Sequence, residues 1–196
     1  MGVGATFAFQ KIAHNLYSVV FENADGHAFE EVFDKWNNIE YLFDFFEEHR
    51  TDLQREFWTS LFGKTLSIEE AIARTRQQTD AFEKKIIDLA NSTTAPDETK
   101  LSTLFVPLLK QNSTRKPLLN SATKAYGLVN KSWLRVYAVR IADVFIVTGG
   151  AIKLTQTMEE RPHTQDELDK LLNVASILKQ NHFSENANFD TGYIEL

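Results

Sequence analysis

Two apolar runs joined by two residues constrain the fold of this sequence more than any other feature. The runs are Trp133–Ile141 and Val144–Thr155, and both are rich in valine, isoleucine and aromatic residues, which favour strands. Ala142 and Asp143, between them, form a connection of the length found in tight hairpins. The pair therefore predicts an antiparallel hairpin with a sheet built around it.

The N-terminal half has helical periodicity in two stretches. Apolar or small side chains recur there at steps of three and four residues: Phe29, Val32, Phe33, Trp36, Ile39, Leu42, Phe43 and Phe46, then Ile68, Ile72, Thr75, Thr79, Phe82, Ile86 and Leu89. We expect the first helix to break near Asn37-Asn38. The second should begin at Ser67, with Glu70 completing a capping box. Its narrow seam leaves two interpretations open, namely packing along the first helix or coiled-coil association into a homodimer.

Shorter segments complete the predicted elements. Four runs have strand character: Phe7–Ile12, Leu16–Glu22, Leu101–Leu109 and Leu118–Leu128. Pro107 makes the third of them either an edge strand or a short helix. The stretch Asn91–Thr99 is a polar linker, and Thr164–Glu167 predicts a second capping box that begins the last helix.

These elements predict the α+β class. The expected arrangement is an antiparallel β-meander, with a helix pair inserted after the N-terminal strands and a C-terminal helix. A chain of 196 residues suits one domain. We divide it into a helical part at about 28–92, a basic meander and last helix at about 101–180, and a loosely held tail at 181–196. The absence of cysteine and of a signal-peptide pattern predicts a cytoplasmic protein without a membrane partner.

Charge is unevenly distributed along the chain. The formal net charge is −6, yet residues 110–161 carry nine Lys and Arg against three Asp and Glu, a net of +6. An acidic total argues against a generic nucleic-acid binder, whereas this segment predicts a cationic surface on the sheet between acidic helices. Chance is the other explanation of the distribution.

The common catalytic signatures are missing from the sequence. It contains no Walker loop, no GxSxG, no HExxH and no GxGxxG. The five histidines are not at ligand spacing, so we predict neither a metal site nor a cofactor. Gly149-Gly150, inside a predicted strand, indicates a bulge or a close-packing point more than a phosphate loop.

Alternation along the hairpin places Trp133, Arg135, Tyr137 and Val139 on one face of the first strand. Lys124 precedes them on the neighbouring strand, and Lys153 follows on the next. Arg161 and His163 lie at the entry to the last helix. Cations that hold phosphate oxygens, beside an aromatic ring that stacks a base, suit a phosphodiester. A solvated sheet face with no ligand is the alternative.

The same residues carry a resemblance to a known family. Ser132–Arg140 (SWLRVYAVR) and Phe145–Thr157 (FIVTGGAIKLTQT) resemble the terminal hairpin of RelE/ParE/HigB-type toxins. Lys124–Gly127 (KAYG) falls where the preceding strand of that family carries a basic residue. The resemblance covers roughly residues 118–175.

The resemblance implies a toxin-like, RNA-directed nuclease of a bacterial toxin–antitoxin module, working on RNA or the ribosome with a small antitoxin-like partner. Arg135 and Lys153 would hold the phosphate, and Lys124 or His163 would transfer protons. Tyr137 would stack or position a base.

Three further basic residues, Lys131, Arg140 and Arg161, would contact the substrate of such a nuclease. The alternative function is a non-enzymatic protein-interaction or regulatory domain that uses the Phe-rich amphipathic helices. We expect no metal and no cofactor in either case.

Overall fold

The described elements run from two strands through five helices to four strands, a sixth helix and a last strand. The computed structural model describes residues 7–92, 100–108, 121–129, 131–180 and 193–195. Its strands are β1 (Phe7–Ala13), β2 (Leu16–Phe21), β3 (Val106–Pro107), β4 (Ala122–Tyr126), β5 (Leu134–Ile141), β6 (Val144–Ile152) and β7 (Tyr193–Glu195). Its helices are α1 (Ala28–Asn37), α2 (Ile39–Glu48), α3 (Arg50–Leu53), α4 (Glu56–Phe62), α5 (Ile68–Ala90) and α6 (Pro162–Gln180), with a 3-10 turn at Lys100–Thr103. The α+β class is confirmed.

All seven described strands form one sheet in the order β3-β4-β5-β6-β2-β1-β7. The predicted hairpin is confirmed, because β5 and β6 pair antiparallel from Leu134 opposite Ile152 to Ile141 opposite Val144. Ala142 in its turn has a φ of 50°. Strand β2 pairs with β6 in parallel, and this joins the N-terminal hairpin to the meander. The sequence did not predict that parallel pairing.

Several weaker sequence predictions have mixed outcomes. Leu101–Leu109 contains both predicted alternatives, a 3-10 turn and the short edge strand β3. The strand predicted at Leu118–Leu128 is observed as β4, and residues 118–120 lie outside the described part, as do 93–99 of the linker. Within the tail predicted at 181–196, Tyr193–Glu195 form β7 and pair with β1. The rest of that tail lies outside the described residues.

The N-terminal helices begin and end where local capping dictates. The Asn38 side chain accepts a hydrogen bond from the Tyr41 backbone N–H and caps α2, which produces the predicted break after α1. The predicted capping box of Ser67 and Glu70 is present at the start of α5. The seam of α5 packs against α1 and α2 and is buried in the chain's own core. A coiled coil through this seam is therefore excluded.

The sheet lies between two apolar clusters. On one face, residues of α1, α2, α4 and α5, among them Trp36, Phe46 and Phe82, form one buried cluster with residues of β5 and β6. Helix α6 covers the other face with Leu168, Leu171 and neighbouring residues. No helix in the described ranges is long and apolar enough to cross a membrane.

The start of α6 differs from the prediction. The helix begins at Pro162, so Thr164 lies within its first turn and does not cap it. The Thr164 hydroxyl donates to the carbonyls of Met158 and Arg161. Glu167, the predicted capping-box partner, turns instead toward the sheet. A Cβ at Gly149 would be 1.9 Å from its Oε2 atom.

The two glycines of β6 have the structural role that their position in a strand predicts. The register of the hairpin shifts between Tyr137 and Ala138, because Thr148 is an extra residue in β6. Gly149 next to it has a φ of 156°, and it leaves space for the Glu167 side chain. The prediction of a bulge or close-packing point is confirmed.

A cationic pocket between the sheet edge and helix α4

Three cations from successive strands line one cavity. Lys124 in β4, Arg135 in β5 and Lys153 just after β6 border a space of about 370 Å³, together with Tyr126 and Tyr137. The strand register explains this, because Lys124 pairs with Tyr137 and Tyr126 pairs with Arg135. The structure therefore brings together three of the four residues predicted as catalytic.

Arg135 is held at the centre of this pocket. Its Cζ atom is 4.1 Å from the centroid of the Tyr126 ring, close enough for a cation–π contact. Its Nη1 donates to the carbonyls of Ser132 at 2.5 Å and Leu134 at 2.7 Å. Burial lowers the pKa of Arg135 below its ordinary value, yet a guanidinium stays charged at any physiological pH.

Lys153 is the most perturbed cation of the pocket. Its Nζ donates to the carbonyls of Thr155 and Gln156. Burial, followed by the charges of Arg135 and Lys124, lowers the pKa of Lys153 to about 8. This amine therefore loses or gains its proton close to neutral pH, where an ordinary lysine would stay charged.

Cations outnumber carboxylates among the described residues that line the pocket, where Glu159 faces Lys124, Arg135 and Lys153. No ion pair within the described ranges joins Lys124, Arg135 or Lys153 to a carboxylate, although Glu159 also lines the cavity. Three neighbouring cations repel one another, and after burial the charges of Arg135 and Lys124 add to the lowering of the pKa of Lys153. An anion bound among them would relieve that repulsion.

A second, larger cavity adjoins the first. It has a volume of about 1040 Å³ and shares Tyr126, Arg135 and Lys153 with the smaller one. Its opposite wall is helix α4, where Phe57 leaves 51% of its surface exposed. Lys131, a predicted substrate contact, also lines this cavity, with its Nζ 5.6 Å from the Phe57 ring centroid.

Helix α4 is fixed to the end of the sheet by its tryptophan. The Trp58 Nε1 donates to the carbonyl of Leu154 at 2.8 Å. The Trp58 ring also contacts Trp133 at a centroid distance of 5.4 Å. Trp133 packs into the cluster beneath the N-terminal helices. The prediction that it shares a strand face with Arg135 is therefore wrong, because strand β5 begins only at Leu134.

A buried ion-pair network holds the same wall from the other side. Asp52, only 2% exposed, accepts from Arg161 Nε at 2.6 Å and Nη2 at 2.7 Å, and from Arg55 Nε at 3.0 Å. Arg55 Nη1 donates to Glu160 at 2.9 Å. Burial opposes ionisation of Asp52, but the hydrogen bonds and charges of Arg161 and Arg55 outweigh it and lower its pKa below 3.8. Arg161, predicted as a substrate contact, is engaged in this structural network instead.

Two other predicted residues lie away from the cations. His163 Nε2 is 3.0 Å from the Ile152 carbonyl, and the ring packs against Phe45 and His49 at centroid distances of 5.1 and 4.6 Å. It lines neither of the two cavities. Arg140 lies beside the β5–β6 turn, where its Nε donates to the Ala142 carbonyl at 2.8 Å.

Tyr137 reaches the cavity but cannot stack a base. Its side chain is 1% exposed, and burial raises its pKa. Within the described part of the chain, its hydroxyl and Glu167 Oε2 are buried side-chain atoms without a hydrogen-bond partner. The exposed rings at the pocket are Tyr126 and Phe57, at 40% and 51%. Sequence reasoning could have found Tyr126, two positions from Lys124, whereas nothing in the sequence marks Phe57.

Across the described residues, no group of three or more His, Asp or Glu side chains is placed to hold a metal ion.

Comparison with protein-family models, curated proteins and solved structures found no match to this chain. The resemblance to RelE/ParE/HigB-type toxins stays a prediction carried by the residues quoted above.

Proposed function

We propose that the chain is a toxin-like, RNA-directed nuclease that holds an RNA phosphate among Lys124, Arg135 and Lys153. One observation carries the proposal: Lys124 in β4, Arg135 in β5 and Lys153 just after β6 meet in one cavity, and within the described residues none of them forms an ion pair with a carboxylate. A phosphate oxygen is a strong acceptor for a guanidinium and for ammonium groups. The exposed ring of Tyr126, at 40%, adds an aromatic surface for a nucleotide.

The chemistry that this arrangement suits is attack by the ribose 2′-hydroxyl. The 2′-oxygen forms a bond to phosphorus, the bond to the 5′-oxygen breaks, and a cyclic phosphate and a free 5′-hydroxyl result. Arg135 and Lys124 would stabilise the charge that builds up on the phosphate oxygens. Lys153, whose pKa is about 8, is the group best suited to accept or donate a proton near neutral pH.

The alternative function, a protein-interaction domain built on the Phe-rich helices, has less support. Phe29, Phe33, Phe45 and Phe46 of those helices are each at most 8% exposed. Those four rings are therefore part of the core, and Phe43, at 47%, is the phenylalanine that the described α1 and α2 leave exposed. A small antitoxin-like partner stays a prediction.

Induced expression in a bacterial host tests the proposed activity. We expect the wild-type chain to arrest growth and to leave messenger RNA with cyclic-phosphate ends. The double variant Arg135→Gln, Lys153→Gln should restore growth, because loss of one transition-state donor alone costs about 10²–10³ in rate.

The matched control removes two charges outside the pocket. The control variant Lys35→Gln, Arg50→Gln changes two exposed side chains, at 57% and 54%. This variant should be as toxic as the wild type. Intact RNA and normal growth with the folded wild-type chain would contradict the proposal, and so would undiminished cleavage by the pocket variant.

A further inference from the structure

We infer that the larger cavity receives an unpaired nucleobase, stacked on Phe57, next to the phosphate held at Arg135 and Lys153. This inference rests on the proposed function and names its substrate class: a single-stranded segment of RNA. Three features of the molecule support it: the two cavities are continuous, α4 carries an exposed ring, and the wall around that ring is held by polar contacts.

The two cavities meet at the cations. Tyr126, Arg135 and Lys153 line both spaces, so a phosphate bound to Arg135 and Lys153 lies at their boundary. In a nucleotide chain each phosphate is followed by a ribose and a base within a few bonds. The neighbouring base therefore falls in the larger cavity, whose volume of about 1040 Å³ has room for a whole nucleoside.

The wall of that cavity offers an aromatic surface that the core does not use. Phe57 is 51% exposed, although phenylalanine is among the residues most often buried. Trp58 meets its ring at 4.7 Å and 81°, which supports the ring. Lys131 Nζ lies over the same ring, so a stacked base would take the place of that long, flexible side chain. Val129, 49% exposed, extends the apolar lining. Base stacking on such a ring contributes about 1–3 kcal/mol and accepts any base.

The ring is also held in place before any ligand arrives. The Trp58–Leu154 hydrogen bond and the Asp52–Arg161 ion pair fix α4 and the segment before it to the segment after β6. A prearranged ring loses little conformational freedom on binding. Lys131 Nζ, over the Phe57 ring at 5.6 Å from its centroid, supplies a further cation for the next phosphate.

An unpaired base is required because a base in a duplex is covered on both faces by its neighbours. It would have to leave the stack to enter the cavity, which costs a few kcal/mol. Stacking on aromatic side chains is also the usual means by which proteins recognise single-stranded RNA. The cavity therefore discriminates against duplex RNA.

Fluorescence anisotropy with the full chain tests the inference. The probe is a short labelled 2′-O-methyl RNA, which cannot be cleaved through its 2′-oxygen, in three forms: single-stranded, duplex, and an abasic ribose–phosphate chain. Phe57→Ala should weaken binding of the single strand about 5- to 150-fold, the equivalent of one lost base stack. Its affinity for the abasic chain should stay unchanged.

Two further variants separate stacking from a general loss of surface. Phe43→Ala removes a ring of similar exposure, 47%, on α2 outside both cavities, and should bind as the wild type does. Phe57→Leu keeps apolar bulk without an aromatic face and should bind the single strand nearly as weakly as Phe57→Ala.

The outcomes distinguish the inference from the proposed function. If Phe57→Ala binds the single strand as tightly as the wild type while Arg135→Gln does not, the base site is wrong and the phosphate site stands. Equal or tighter binding of the duplex also overturns the inference. If the wild type binds none of the three probes, the proposed function fails with it.

Discussion

Replacing Asp52 with asparagine should destabilise the chain substantially. The carboxylate is 2% exposed and is the common acceptor of Arg161 and Arg55. Removing one partner of a buried ion pair costs about 3–5 kcal/mol. Both arginines keep about a third of their side chain in solvent, at 34% and 35%, so they can rehydrate. We therefore expect the lower end of that range, about 3 kcal/mol.

Thermal unfolding followed by circular dichroism measures this cost. For a chain of this size, 1 kcal/mol corresponds to about 2–4 °C, so Asp52→Asn should lower the Tm by about 6–12 °C at neutral pH. Glu47→Gln breaks an exposed pair with Arg50 and serves as the control, with no measurable change expected.

The pH dependence adds a second criterion. The pKa of Asp52 is below 3.8 in the folded chain, so its stabilisation is complete above 3.8 and is lost as the pH falls through the lower folded value. The difference in free energy of unfolding between wild type and Asp52→Asn should therefore shrink at acidic pH. A Tm change at neutral pH no larger than that of the control would refute the reasoning. So would a difference in free energy of unfolding that stays the same at every pH.

Two further substitutions test the close packing of β6 and the titration of the pocket. Gly150→Ala would place a Cβ 2.7 Å from the carbonyl oxygen of Arg135, and we expect urea unfolding to show a loss of about 1–3 kcal/mol; unchanged stability would mean that the strands can separate there at little cost. Since the pKa of Lys153 is about 8, wild-type affinity for single-stranded RNA should fall as the pH rises through that value. Lys153→Arg keeps its charge and should flatten this decline, whereas parallel pH profiles for the two proteins would count against Lys153 as the titrating contact.

Local patterns predicted much of the fold. The β5–β6 hairpin follows from two apolar runs and a two-residue turn, and the start of α5 follows from Ser67 and Glu70. Lys124, Arg135 and Lys153 could be placed together because strand alternation and antiparallel order fix which side chains share a face.

Long-range contacts account for what the sequence left open. The parallel β2–β6 pairing and the Asp52–Arg161 ion pair join segments far apart in the chain. No local sequence pattern marks β2 and β6 as neighbours, or Asp52 and Arg161 as partners. Tyr137 was expected to face a ligand, but α6 packs over that face of the sheet and buries it. Phe57 lies on a short helix whose position depends on Trp58 and on the network around Asp52.

The salt dependence of RNA affinity tests the phosphate site most directly. For single strands, log K falls with log salt with a slope of about −0.7 for each phosphate neutralised. Arg135→Gln should therefore make the slope shallower by about 0.7 as well as weaken binding, while Lys35→Gln, exposed and remote from the pocket, should leave the slope at its wild-type value. Identical slopes for wild type and Arg135→Gln would contradict a phosphate held in the cationic pocket.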